Sequence, residues 1–212
     1  MSDVTYIVKP MSASDIELDV ARFLYKYQKE TLFGHMPLNA EKLLDDIYID
    51  KDFCLEITSD NEFHKGILGE TRIGTRTIQI RESDYMKCDT NGFARMNIAH
   101  EVAHPRLHSE FFEQNPCRLY RVQGNRLPAY MSSEWQASVW GSCCLMPFPA
   151  VVKVITEGEN LGFPKQQIIS CITQKFIVSK LAASVRYSTI NNYRRKGIYD
   201  EIAQRIEKEA YK

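Results

Sequence analysis

Apolar positions along this chain follow two periods. Near the N-terminus Ile16, Val20, Phe23, Leu24 and Tyr27 recur at helical spacing, behind Ser14 and Glu17, which read as a capping box. "MPLNAEKLLDDIYI" predicts a second, short helix opened by Pro37 and Asn39. The middle of the chain then alternates: "FCLEIT", "HKGILGET" and "TRTIQIRES" read as three short strands, with Gly66, Gly69 and Gly74 marking turns. They are expected to form one antiparallel sheet. From Gly92 onward the helical period returns, over 93–108, 132–146, 148–157, 165–175, 179–190 and 198–210. The fold class is therefore α+β, a small sheet packed against a helical body.

Composition narrows the setting. At 212 residues and 24.5 kDa the chain can build one good core, or one core and a small appendage. Lys+Arg and Asp+Glu are equal at 27 each, so bulk charge points to neither nucleic acid nor a membrane surface. No apolar run approaches the length of a membrane span. The start, "MSDVTYIVKPMSASD", lacks the apolar core and cleavage site of a signal peptide, so a cytoplasmic protein is expected. Cys54, Cys88, Cys117, Cys143, Cys144 and Cys171 form no CxxC pair, and read as reduced thiols in the core.

The chemistry concentrates in "NIAHEVAHPRLH", where three of the chain's five histidines, His100, His104 and His108, stand at four-residue spacing. A helix turns about 100° per residue, so His100 and His104 share a face and can aim at one point. Neutral imidazoles suit zinc, and Glu101 beside them can take a proton from a metal-bound water: the string is the HExxH pattern of zinc peptidases. A catalytic zinc needs a third protein ligand. In one zinc-peptidase class it is a histidine six residues after His104, but Glu110 stands there, and Leu107 occupies that class's glycine position. His108 is one option, although Pro105 should kink or end the helix just after His104. Glu110 and Glu113 lie further along. Glu134 is the better candidate: it opens the apolar helix of "SSEWQASVWGSCCLMP", where a carboxylate facing inward needs a counter-charge. Arg106, His108 and Tyr130 are near enough in sequence to serve as oxyanion donors.

"NIAHEVAHPRLH", "EWQASVWGSCCLMP" and "ITQKFIVSKLAASVRYSTI" resemble, in order, three motifs of the ImmA/IrrE family of metallopeptidases, over about Pro37 to Asn192. The resemblance implies a zincin-like core with Zn2+ held by His100, His104 and Glu134, and Glu101 as catalytic base. It also implies a structural helix end at Leu145, Met146 and Pro147, and a helix-turn-helix repressor as substrate, whose loss relieves repression of mobile-element, phage or stress genes. It divides the chain into an N-terminal helical extension (1–36), a peptidase core (37–150) and a C-terminal helical segment (151–212). The chain departs from the family at four places. Ala103 replaces a glycine, Pro105 an aliphatic residue, Ser138 an Asn or Asp that would hold a ligand histidine, and Trp140 with Gly141 a Phe-Ala pair.

The C-terminal segment supports rival classes. Residues 165–196 carry Lys165, Lys175, Lys180, Arg186, Arg194, Arg195 and Lys196 with no acid, and "FIVS" before "KLAASVRYSTI" reads as a helix-turn-helix. A DNA-binding regulator with a structural HExxH would use such a face on phosphates. A third class is a non-catalytic antirepressor or toxin–antitoxin component that only binds its repressor.

Overall fold

The computed structural model describes residues 5–64, 66–114, 121–122 and 128–211. Cys117, and Lys65 within the second predicted strand, lie outside the described residues. In chain order the elements are β1 (Thr5–Tyr6), α1 (Ala13–Tyr27), α2 (Lys29–Leu32), α3 (Ala40–Lys51), β2 (Cys54–Thr58), β3 (Gly69–Arg72), β4 (Thr77–Arg81) and α4 (Glu82–Tyr85). They continue with α5 (Gly92–Gln114), β5 (Arg121–Val122), α6 (Ser133–Leu145), α7 (Phe148–Asn160), α8 (Lys165–Phe176), α9 (Lys180–Lys196) and α10 (Tyr199–Arg205). A π-helical turn, Ile206–Ala210, extends α10. The fold is α+β, mostly helical with one small three-stranded sheet.

The capping box of α1 sits two residues earlier than the sequence suggests. Ser12 Oγ accepts from Asp15 N at 3.1 Å, and Ser12 N donates to the Asp15 carboxylate at 3.2 Å. The chain offers two serine–acid registers, and Glu17 is taken by another partner. It is buried against Arg186 on α9, whose guanidinium also donates to Met146 O at the end of α6 (2.9 Å). Removing one member of such a buried pair destabilises by about 3–5 kcal/mol. Arg186 is 2% exposed, so it takes no part in any basic surface. Arg194 bonds Glu159, and Lys165 lies over the Tyr187 ring. The axes of α8 and α9 are bent by 115° across residues 177–179, which is helix-turn-helix geometry. Ile177 adopts the left-handed conformation there, at φ 53°.

The sheet is mixed rather than antiparallel. Its order is β2–β4–β3, with β2 parallel and β3 antiparallel to β4. Hydrophobic alternation sets which face is buried, and Ile78 and Ile80 of β4 are each 1% exposed, but it does not set pairing direction. Residues 73–76 turn β3 directly into β4, taking one side of that strand. β2 lies on the other side and runs parallel to β4, because β3 brings the chain back to the end at which β2 began. β3 is left as the edge strand against α5.

One buried cluster draws residues from α1, α3, α5, α6, α7, α8, α9 and the C-terminal turn. Cys88, Cys143 and Cys144 lie within it, and burial raises their thiols. Cys54 does not: it begins β2, whose first four residues are exposed, and Cys171 is half-buried. Residues 5–11 pair with 121–122 and pack against 130–133. β1 pairs antiparallel with β5, Val8 N donates to Met131 O, and Met11 N donates to Tyr130 O, each at 3.0 Å. Among the described residues no single helix is long and apolar enough to cross a membrane.

Candidate metal centre

The helix α5 is fixed at its start by Asn91, whose Oδ1 accepts from Phe93 N and Ala94 N at 2.9 and 3.1 Å. A Cβ on Gly92 would come within 2.8 Å of the Val178 and Ser179 backbone, so only glycine lets α5 begin this close to the α8–α9 turn. Further along, Gly141 brings α6 onto α5: a Cβ there would stand 3.2 Å from backbone atoms of Ala99 and His100. Neighbouring Trp140 faces the other way and is fully buried, its Nε1 donating to Asp19 at 2.9 Å. Ser132 caps α6 by accepting from Trp135 N, which sets Glu134 in the first turn, facing α5.

Three ligand groups converge between these helices. His100 Nε2 lies 3.3 Å from His104 Nε2 and 3.2 Å from Glu134 Oε2, and His104 Nε2 lies 3.6 Å from Glu134 Oε1. Ligands about 2.0–2.1 Å from a tetrahedral ion stand about 3.3–3.4 Å from one another. The two imidazole nitrogens stand at such an edge length, and the carboxylate offers one oxygen to each, at 3.2 and 3.6 Å, so the donor set fits a metal ion. Among the described residues no other such His, Cys, Asp or Glu group is assembled.

Electrostatics agree with that chemistry. Burial pulls the His104 ring down to about 3, which keeps it neutral with a lone pair to give. His100 is pulled down by burial too, but its bond to Glu134 and the nearby carboxylate charges leave it above its ordinary value. Burial pushes Glu134 up, and the His100 bond and surrounding imidazoles more than reverse this, holding it ionised. Glu101 is the contrast: burial raises its carboxyl to about 7, against opposing pulls from His100 and a Thr71 bond.

The setting of Glu101 explains Pro105. α5 does not end at the proline but runs on to Gln114. Proline has no N–H, so the carbonyl four residues back, on Glu101, loses its helical partner. Thr71 Oγ1 on the edge strand stands 3.0 Å from that carbonyl and 2.8 Å from Glu101 Oε2. The strand thus brings a donor to the carbonyl that the helix leaves without one, its single hydroxyl hydrogen shared between that carbonyl and the carboxyl. Two residues away Gly69 makes room: a Cβ there would meet Glu101 Cγ at 2.7 Å. On the far side of Pro105, Ser109 Oγ donates to the Pro105 carbonyl at 2.7 Å.

The remaining sequence candidates fall in different places. His108 is not in the ligand group; it is 1% exposed, with Nδ1 3.3 Å from His104 Nδ1 and Nε2 3.1 Å from Gln136 Oε1. Burial holds it down to about 4. Ser138 Oγ lies 3.3 Å from His100 Nδ1. Glu110 bonds Lys51, and Glu113 bonds Arg76. Arg106 turns away to Asp19 and Asp50, bonds of 2.6 and 2.7 Å, and so is not an oxyanion donor. Tyr130 is 49% exposed and lies outside the cleft lining. That cleft, of about 670 Å³, runs from Gly69–Gly74 across the triad to Tyr6 and Phe112. Gly69, Thr71 and Gln136 are the residues that sequence reasoning missed. The one available signal was Pro105, which announces an unpartnered carbonyl on Glu101 without saying what reaches it.

The chain matches no protein-family model and no curated protein. Its likeness to the ImmA/IrrE pattern rests on the three motifs alone.

Proposed function

We propose that the chain is a zincin-like metallopeptidase of the ImmA/IrrE type that cleaves a helix-turn-helix repressor. The observation that carries this reading is the convergence of His100, His104 and Glu134 on one point, in the same cleft as a carboxyl poised near neutrality. Two imidazoles and one carboxylate favour Zn2+. When bound, zinc supplies Lewis-acid chemistry, acidifying water and polarising a carbonyl. Glu101 is the base: its carboxylate takes the proton of the attacking water and hands it to the leaving amine. A carboxyl raised toward neutrality by burial can make both transfers. β3 lends the substrate a template, because its outer edge has no strand partner among the described residues and borders the cleft. An extended peptide can add there by main-chain hydrogen bonds. A folded helix-turn-helix domain would therefore have to expose an extended segment or loop to be cut.

The test is to incubate zinc-loaded protein with the repressor encoded beside its gene, with and without chelator, and to map fragment ends by mass spectrometry. Cleavage is expected from the parent, and none from Glu101→Gln, which should keep its zinc. An intact repressor under every condition overturns the peptidase reading. Repressor release from its operator without cleavage would instead give the non-catalytic antirepressor. The 115° bend of α8 and α9 favours one further reading, a DNA-binding regulator. It predicts a salt-dependent gel shift by the full chain, and loss of Arg186 from the surface weakens it.

A further inference from the structure

We propose that Gln136 is a positioning residue that fixes, through His108, which ring nitrogen of His104 carries the proton. It thereby delivers the His104 Nε2 lone pair to the ligand group. This deepens the metal-centre reading and rests on it.

The relay follows from donor and acceptor arithmetic. The Gln136 side-chain Nε2 lies 2.9 Å from Lys9 O and 2.7 Å from Tyr130 O. Carbonyls only accept, so both amide hydrogens are committed and the amide orientation is not free to flip. Flipping it would set an oxygen against two carbonyl oxygens. Gln136 Oε1 therefore faces His108 Nε2, at 3.1 Å, and that nitrogen must carry the hydrogen. A neutral imidazole holds one ring proton, which leaves a lone pair on His108 Nδ1. His104 Nδ1 is 3.3 Å from it. Two lone pairs at that distance repel, so His104 Nδ1 holds its own hydrogen and donates it. The remaining nitrogen, Nε2, is then the bare one, and it points at His100 and Glu134.

The other ligand histidine has no such lock on its Nδ1 side. His100 Nδ1 meets Ser138 Oγ at 3.3 Å, and a hydroxyl both donates and accepts, so it tolerates either tautomer. The two imidazoles are thus held differently: His104 already presents its lone pair, whereas in the metal-free protein the bare His104 Nε2 and the Glu134 carboxylate draw the His100 hydrogen to Nε2, and Ser138 lets it move to Nδ1 when an ion is seated. The dictation starts on another segment: Lys9 supplies one of the two carbonyls, and its neighbours Val8 and Met11 are pinned to the 130–131 turn by backbone hydrogen bonds.

Histidine-selective 15N–1H correlation spectra of the full-length, metal-free protein read the tautomers directly. The parent should show His104 protonated at Nδ1 and His108 at Nε2. In Gln136→Leu the His108 and His104 signals should shift toward mixed tautomers. Zinc affinity, measured by competition with a chromophoric chelator, should fall about 10- to 100-fold, the usual effect of losing a partner that orients a ligand histidine. A parent protein with His104 protonated at Nε2 overturns the relay without any variant. So does a folded Gln136→Leu with parental tautomers and affinity. A parent with the stated tautomers that binds no zinc overturns the metal-centre reading itself, and the relay's purpose with it; zinc binding with the wrong tautomer overturns the relay alone.

Discussion

The bond between Thr71 and Glu101 allows a quantitative test of why this helix carries a proline. Thr71 Oγ1 meets the Glu101 carbonyl at 3.0 Å and the Glu101 carboxyl at 2.8 Å. Glu101 is 8% exposed, so water is a poor substitute for the hydroxyl. Leaving a buried acceptor unsatisfied costs about 1–3 kcal/mol. Thr71→Val, which keeps the shape and deletes the hydroxyl, should therefore destabilise the metal-free protein by about 2 kcal/mol. Pro105→Ala restores an N–H four residues after Glu101, and that N–H can satisfy the carbonyl from within the helix. In this background Thr71→Val should lose only its contact with the carboxyl, about 1 kcal/mol. The coupling between the two sites should then be about 1 kcal/mol, and the cavity left by the shorter alanine side chain cancels around the cycle. Urea denaturation of the four metal-free proteins measures it, and melting points give a check at about 2–4 °C per kcal/mol for a chain of this size. Independent sites add to within about 0.3–0.5 kcal/mol. Additivity at that level would refute the claim that strand β3 replaces the helical hydrogen bond that proline removes.

Gly69→Ala should lower kcat by at least about tenfold, a barrier change of about 1.4 kcal/mol, while zinc content is unchanged, because its Cβ would displace the Glu101 side chain rather than a ligand; parental kcat with a shifted zinc affinity would contradict this. Arg186→Met should destabilise by about 3–5 kcal/mol in urea, since it strands the buried Glu17 carboxyl, and adding Glu17→Met should recover part of that loss. The pH profile of kcat/KM should have an acidic limb, because Glu101 works ionised and is lost as pH falls through its pKa. Burial sets that carboxyl at about 7, and the positive charge of a seated ion lowers it, so the limb should centre below about 7; a midpoint above 7 would exclude Glu101 as the base.

Local patterns and distant partners explain what could and could not be read from the chain. His100, His104 and the period of α5 are legible because a helix turns a fixed spacing into a shared face, and the apolar run after Glu134 marks α6 in the same way. The parallel pairing of β2 with β4 is not legible, because alternation fixes a strand's buried face and says nothing of its direction. Neither is the passage of α5 through Pro105, because the group that repairs the helix, Thr71, is 30 residues away. Arg186 belongs to a basic run by composition, yet its partner Glu17 is 169 residues distant, and only the folded core shows that the charge is buried. The same holds of Gln136, whose two donors go to Lys9 and Tyr130, 127 and 6 residues off. In each case the sequence exposes an unmet need: a carbonyl without a donor, a cation among apolar neighbours, a carboxylate opening an apolar helix. What meets the need comes from elsewhere in the chain. A helix-breaking residue within a ligand motif, as here, is thus best treated as a statement that another element must dock at that carbonyl, and the edge strand beside the cleft is where to look for it.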